Sequence, residues 1–262
     1  MNFPFFIARR YVFSKKSTNA INVISAISVV GVAVGTMALV IVLSVFNGFH
    51  DLVASFFTNF DPQIELVPTQ GKTAPADDPL LDKIRKMPQV SVHTDVLEDQ
   101  GLAVDDDRQQ LVTVMGVDDN LTQLTNIGDM LYGDGEFTLQ AANLFYAIPG
   151  IRLAQDMGLG ARFDGYLKLY APVRRGQITD LEDPSDGFVV DSLISPGVVF
   201  AVNQAKYDRD HIICSIGFAR RLFDQDGMLS SLQIRLKPGS DLAAVKKQMR
   251  EIVGSKYRVL DR

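Results

Sequence analysis

Between Ser17 and Phe49 the chain carries no charged residue, and its apolar heart, Ala20–Phe46, is 27 residues long. At about 1.5 Å per residue a helix of that length reaches roughly 40 Å, more than the ~30 Å of a bilayer's hydrocarbon core. A cleaved signal peptide has a shorter apolar run, about 7–15 residues, followed by a small-x-small site. Here the run is longer and passes into Asn47, Gly48, Phe49 and His50. The pattern predicts a membrane-spanning helix over residues 20–49, preceded by a short segment, 1–19, and followed by a folded region, 50–262.

Beyond Pro62 the periodicity changes. Gln63–Val67 alternates as a strand does, Pro79–Met87 reads as a short helix stopped by Pro88, and Val90–Val96 and Gly101–Val104 are strand-like. Asp105-Asp106-Asp107 is a turn, after which Gln110–Val117 returns as a strand, completing a hairpin with an acidic tip. Asn120–Tyr132 is ambiguous and leaves room for a short helix. Leu144–Ile148 reads as a strand, Ile151–Met157 as a helix ended at Gly158, and Tyr166–Tyr170 as a strand. Pro172–Gly187 is a long polar loop. Val198–Val202, Ile212–Ser215, Leu232–Leu236 and Tyr257–Leu260 read as strands, and Phe218–Phe223 as a helix. In a last helix, Asp241–Val253, the residues Leu242, Val245, Met249 and Ile252 recur on one face, with Ser240 or Asp241 as the cap. No fixed-period repeat is present. The fold class expected is α+β: one N-terminal membrane helix, then a mixed domain of two sub-domains dividing near residue 140.

Charge sharpens this picture. Of 26 basic and 31 acidic residues, four basic groups and no acidic one precede Asp51, leaving 22 basic and 31 acidic beyond it, a net of −9. Basic flanks stay in the cytoplasm, so Arg9, Arg10, Lys15 and Lys16 place the N-terminal segment inside and the folded region outside. An acidic domain lacks the basic face that nucleic-acid binding requires, so no nucleic-acid partner is expected. Within the helix, Gly31, Gly35 and Ala38 share a face on which a second helix can approach closely in lipid. The segment Phe3–Phe13 mixes aromatic and basic residues at near-helical spacing; it is read either as a helix at the lipid surface or as an unstructured tail.

The search for chemistry returns little. Gly71-Lys72-Thr73 has the second half of a phosphate loop, but Leu66 stands where the first glycine is needed. His50, His93 and His211 have neither a partner histidine at helical spacing nor a metalloprotease context, and each reads as structural. Cys214, the single cysteine, reads as a small buried hydrophobe. The acidic groups Asp105–Asp107, Asp118-Asp119 and Asp180–Asp186 lack calcium-loop spacing. Ser215 lies between Cys214 and Ile216, which is not a nucleophile elbow. No catalytic, cofactor-binding or metal-ligating residue is assigned.

One stretch carries a specific resemblance. Ala8-Arg9-Arg10-Tyr11, Ile27-Ser28, Gly31-Val-Ala-Val-Gly35-Thr36-Met37-Ala38-Leu39-Val40, Leu43-Ser44-Val45 and Phe46-Asn47-Gly48-Phe49 resemble the first membrane segment of permease subunits of lipoprotein-releasing ABC transporters (LolC/LolE type), within the MacB/FtsX superfamily. Ile151-Arg-Leu-Ala154, Met157-Gly-Leu-Gly160 and Tyr166–Pro172 resemble a later segment, although Arg162-Phe163-Asp164 stands where Gly-Asp is usual. The resemblance implies an inner-membrane permease of four helices with a large periplasmic domain between the first two, so that this chain corresponds to its N-terminal part. It implies a non-catalytic subunit that works with a cytoplasmic ABC ATPase, which holds the ATP and Mg, and with a second permease subunit. Lipoproteins are the implied cargo, membrane lipid the surroundings, and a periplasmic carrier the acceptor. The carrier-docking loop of one permease type corresponds to Pro172–Val189, which nominates Arg174, Arg175, Ile178 and Leu181. Related permeases that export other cargo or control cell-wall hydrolases, and a single-pass scaffold or sensor, are the alternatives.

Overall fold

The computed structural model describes residues 3–12, 19–58, 60–173 and 187–261. The chain divides into two compact units, Met1–Ala54 and Ser55–Arg262. The first holds α1 (Phe3–Val12) and most of α2 (Asn19–Thr58), a 40-residue helix. Its stretch Val23–His50 is long and apolar enough to cross a membrane. The helix continues past Phe49, where the apolar run ends, because residues 50–58 contain no glycine or proline to stop it.

The second unit is built on a nine-stranded sheet. Its first part alternates strands and helices: β1 (Ile64–Pro68), the short β2 (Ala74–Pro75), α3 (Pro79–Arg85) and β3 (Val90–Asp105). Asp78 starts α3 by accepting a hydrogen bond from the Leu80 N–H at 2.9 Å, and Pro79 occupies the first helical position, where its missing N–H costs nothing. A hairpin turn, with Asp106 at positive φ, returns the chain as β4 (Arg108–Val117). The two expected segments Val90–Val96 and Gly101–Val104 are thus one continuous strand.

The middle of the chain is irregular: α4 (Leu121–Leu124), a 3₁₀ turn (Ile127–Met130), β5 (Leu131–Gly133), β6 (Gln140–Ala141), β7 (Leu144–Phe145) and β8 (Ile148–Pro149). The strand expected over Leu144–Ile148 is broken, because Leu144 and Phe145 pair with β6 while Ile148 pairs with a different neighbour. Then come α5 (Ile151–Met157), closed by Gly158 at φ +72, β9 (Leu167–Pro172), β10 (Phe188–Leu193) and β11 (Val198–Phe200). The remainder is α6 (Ala205–Asp210), β12 (His211–Ser215), α7 (Ile216–Leu222), β13 (Met228–Leu229), β14 (Ser231–Leu236), α8 (Leu242–Val253) and β15 (Tyr257–Asp261). In α8, Asp241 caps the first turn by accepting from Ala243 and Ala244. Its buried face is Val245, Met249 and Val253; Leu242 of the expected stripe is exposed.

Strand order is β15-β1-β14-β3-β4-β12-β8, with β9 joined to β3 and β10 to β9. Strands β1, β3, β14 and β15 with α3 and α8 form a βαββαβ unit, antiparallel throughout in the order β15-β1-β14-β3. Its core contains Ile64, Leu66, Leu81, Ile84, Ile234, Met249 and Val259. Everything from the β3–β4 turn to α7 is inserted between its second and third long strands and forms another lobe, while β13 pairs with β2 and adds Leu229 to the βαββαβ core. The lobes therefore do not divide near residue 140. The first takes its residues from both ends of the folded region, and β3 is common to the two. One edge of β3 binds β14 through Val90–Val96 and then β9 through Leu102–Val104. Between them the Ser230 hydroxyl donates to Val96 O and accepts from Glu98 N, each at 2.9 Å.

In the second lobe, β12 runs parallel to the second half of β4, and there Val114–Val117 and His211–Ser215 are buried on both faces. Val112, Val114, Ile212 and Cys214 face a core with Leu153, Leu169 and Phe218. Met115, Val117 and Ile213 face a separate core with Phe60, Leu121, Phe200 and Tyr207. This explains the unbroken apolar runs in these strands: a strand covered on both sides has no polar phase.

Candidate functional site

On α2, Gly31, Gly35 and Ala38 lie on one exposed face. A Cβ added at Gly31 or Gly35 would meet nothing within 4 Å, so the chain's own packing makes no demand for glycine there. Ser28 and Thr36 turn their hydroxyls back onto Ile24 O and Val32 O at 3.0 and 2.9 Å, which pairs these two donors within the helix. Arg10 is exposed on α1, and Arg9 belongs to the same helix. Lys15 and Lys16 lie outside the described residues.

Arg174, Arg175, Ile178 and Leu181 also lie outside the described residues. The structure does fix the strands on either side. Pro172 pairs with Phe188 and Ser192 with Lys168 in an antiparallel register, and the Val173 N–H donates to Gly187 O at 2.9 Å. Strands β9 and β10 thus form an antiparallel pair at the edge of the sheet. Directly beside it is a feature the sequence reading passed over. Leu111, Leu102, Tyr170 and Val190 are partners across β4, β3, β9 and β10, so their side chains line up on one face of the sheet. The other face of these strands is core: Ala103, Val112, Leu169 and Ala171 are buried. The lined-up face is open, with Leu111 61% and Val190 48% exposed, and Phe188, 46% exposed, lies edge-on to Tyr170 at 6.5 Å. The available signal was the run Phe188-Val189-Val190, which places apolar groups on both faces of an edge strand.

The titratable groups are structural in placement. The His211 imidazole is buried with Nδ1 3.3 Å from Lys206 O, and burial, aided by the Lys206 charge, lowers its pKa to about 4. Burial likewise lowers His93, with Arg85 adding to the effect, and raises the Cys214 thiol far above its usual range. Asp208 is buried; desolvation raises its pKa, opposed by hydrogen bonds from the N–H groups of Val202, Asn203 and Gln204. Ser215 caps α7 by accepting from Phe218 N. Gly71-Lys72-Thr73 is a loop between β1 and β2, and Asp105–Asp107 form the β3–β4 turn. Among the described residues no cluster of three or more His, Cys, Asp or Glu could hold a metal. Among the described residues, what stands out on the second unit is an open apolar sheet face.

Three comparisons bear on this architecture. A curated relative, the lipoprotein-releasing system transmembrane protein LolE of Haemophilus influenzae, is 25% identical over 139 residues, 52% of this chain. The chain spans only 33% of that relative's length. The crystal structure of the periplasmic region of MacB from Actinobacillus actinomycetemcomitans matches 78% of this chain and 90% of its own, with a TM-score of 0.52 at 7% identity, a likeness of fold. The model of the MacB-like periplasmic core domain family matches residues 25–252, from within the long helix to the end of α8, and the chain belongs to that family.

Proposed function

We propose that this chain is the N-terminal part of a permease subunit of an ABC transporter of the MacB/FtsX superfamily, and that its cargo is lipoprotein released from the bacterial inner membrane. The observation that carries the reading is the continuity of one helix of membrane-spanning length with a MacB-like periplasmic core domain in a single chain. The similarity to LolE supports lipoprotein as the cargo. In this reading the basic N-terminal segment is cytoplasmic and the domain periplasmic, following the charge asymmetry. ATP and Mg are bound by a partner ATPase, and a second permease subunit packs on the Gly31–Gly35–Ala38 face. Closure of the ATPase moves the membrane helices, and the periplasmic domain converts that motion into release. The β9–β10 hairpin and the apolar row beside it receive a soluble carrier, whose own lipid-binding function gives it apolar surface to cover.

The test is a pull-down of the tagged full-length gene product from its own host in mild detergent. Recovery of a separate ATPase with lipoproteins is the expected result. An ATPase without lipoprotein keeps the superfamily and moves the cargo elsewhere. No ATPase, under conditions that preserve a known transporter, overturns the reading and favours a membrane-tethered scaffold.

A further inference from the structure

The turn that follows β5, Gly133-Asp134-Gly135, is pressed against Ser195-Pro196-Gly197, which leads into β11. Gly133 pairs with Val198, the Gly135 N–H donates to Gly197 O at 3.2 Å, and the Gly197 N–H donates to Ser195 Oγ at 3.0 Å. A Cβ at Gly133 would collide with Gly197 O, and one at Gly135 with Pro196 O. Both positions therefore need glycine, and the wall they form is bare backbone. Beside it lies a cleft of about 310 Å³, bounded also by Ala161 and Arg162 of the α5–β9 segment. Polar side chains reach it from Asp134, Thr138, Tyr146, Arg162 and Ser195. A second cleft, about 220 Å³, shares Gly133 and Ala161 with the first. Its side chains are Tyr132, Ile151, Ala154 and Val199, with Gln155 as the polar exception. Tyr132 and Val199 are cross-strand partners, so they face it together.

The two clefts adjoin, so they make one site with a polar and an apolar compartment, of the size of small-molecule sites, roughly 300–1,000 Å³. The polar compartment holds one carboxylate and one guanidinium, and among the described residues neither Asp134 nor Arg162 makes an ion pair. A ligand with a single charge would answer one of these groups and lie beside the other uncompensated; a zwitterion answers both. We propose that this site binds a small zwitterion with an apolar side chain, the size of a dipeptide carrying one leucine-sized group. Arg162 takes the carboxylate, which suits its planar fork of donors. Asp134 accepts from the ammonium. Ser195 Oγ already accepts from the Gly197 N–H, which leaves its own proton for the carboxylate. The apolar side chain lies between Tyr132 and Val199. Asp134 and Arg162 are exposed, so their charges act in water and the dissociation constant is of order 0.1–1 mM. Binding here does not depend on the transporter reading.

The experiment is saturation-transfer NMR titration of the full-length gene product in mild detergent. The probes are leucyl-glycine, leucyl-glycinamide, N-acetyl-leucyl-glycine and glycyl-glycine, which keep all three recognised features or lack the carboxylate, the ammonium or the apolar side chain. Leucyl-glycine is expected to saturate, and each of the other three to bind at least about fivefold more weakly. Arg162→Gln should weaken leucyl-glycine by about fivefold or more and leave leucyl-glycinamide unchanged. Asp134→Asn should do the same with N-acetyl-leucyl-glycine as the unaffected probe. A merely structural role for either residue would weaken all probes alike. Both are exposed, so their replacement should leave the thermal midpoint unchanged. Tyr132→Ser, also at an exposed position, should remove the advantage of leucyl-glycine over glycyl-glycine. Glycerophosphoethanolamine tests a lipid headgroup as the source of the charges; competition equal to that of leucyl-glycine overturns the role of the apolar compartment and with it the proposal. So does the absence of saturation by leucyl-glycine at 20-fold the expected constant, or affinity that is unchanged in both charge variants.

Discussion

The Tyr257 hydroxyl donates a 2.6 Å hydrogen bond to Asp78 Oδ2, joining the residue that starts α3 to the first residue of β15. Lys256 Nζ binds the same oxygen, and Asp78 Oδ1 accepts from Leu80 N. Burial pushes the Asp78 carboxyl up, but the bonds from Lys256, Tyr257 and Leu80 outweigh it and hold the pKa at about 2. Because the folded value lies below the ordinary 3.8, the stabilisation is complete above about pH 4 and is lost as pH falls toward 2. It amounts to ~2 kcal/mol at most, since Lys256 is largely exposed. Asp78→Asn should lower the urea midpoint of the folded region at pH 7 and narrow its difference from wild type at pH 2.5. An unchanged midpoint at pH 7 would refute this.

His211 predicts a second pH dependence at higher pH. Its folded pKa is depressed from 6.5 to about 4, so stability is full above about 6.5 and declines as pH falls through that window, by up to ~3 kcal/mol. Below about 4 the decline stops, because both states are then protonated. Denaturation midpoints between pH 7.5 and 4.5 should fall in the wild type and flatten in His211→Asn. Equal slopes in the two proteins would count against it.

Gly116 lies where α7 presses on β4. A Cβ there would stand 2.3 Å from Ala219 Cβ. Gly116→Ala is expected to cost about 1–3 kcal/mol through overpacking. Adding Ala219→Gly should recover part of the loss, which a double-mutant cycle by chemical denaturation measures directly. Simple additivity of the two costs would show that the contact is not the cause.

For the helix face, Gly31→Leu and Gly35→Leu should leave thermal unfolding of the folded region unchanged, since among the described residues nothing beyond the helix's own backbone lies within 4 Å of either added Cβ. Recovery of the proposed second permease subunit in a pull-down should fall. Undiminished recovery would remove this face from the assembly.

On the open sheet face, Tyr170→Asp and Val190→Asp change exposed or half-exposed groups and should shift stability by less than about 1 kcal/mol. Binding of the proposed soluble carrier, measured by calorimetry on the full-length permease, should weaken at least about tenfold. Unaltered affinity in both variants would place the carrier elsewhere.

Much of this protein was decided locally. An uncharged, mostly apolar stretch of 27 residues can satisfy its backbone in lipid only as a helix, and that holds whatever follows it. Asp78-Pro79, Gly158 and Asp241 end or begin helices by hydrogen bonds and φ angles confined to a few residues, so the sequence shows them directly. The tertiary structure decided what depends on distant partners. Whether Val90–Val96 and Gly101–Val104 were one strand was settled by β4, which pairs from Val96 through Asp105, and by β14 and β9 sharing the opposite edge. The lobe boundary was hidden because a βαββαβ unit assembled from both ends of a chain leaves no composition change at the crossover. Phe60 looked like one aromatic among many until Phe200 and Tyr207, well over a hundred residues later, closed around it. Leu111, Leu102, Tyr170 and Val190 became one surface only through the register of four strands, a relation set by hydrogen bonds across the sheet and not by spacing along the chain.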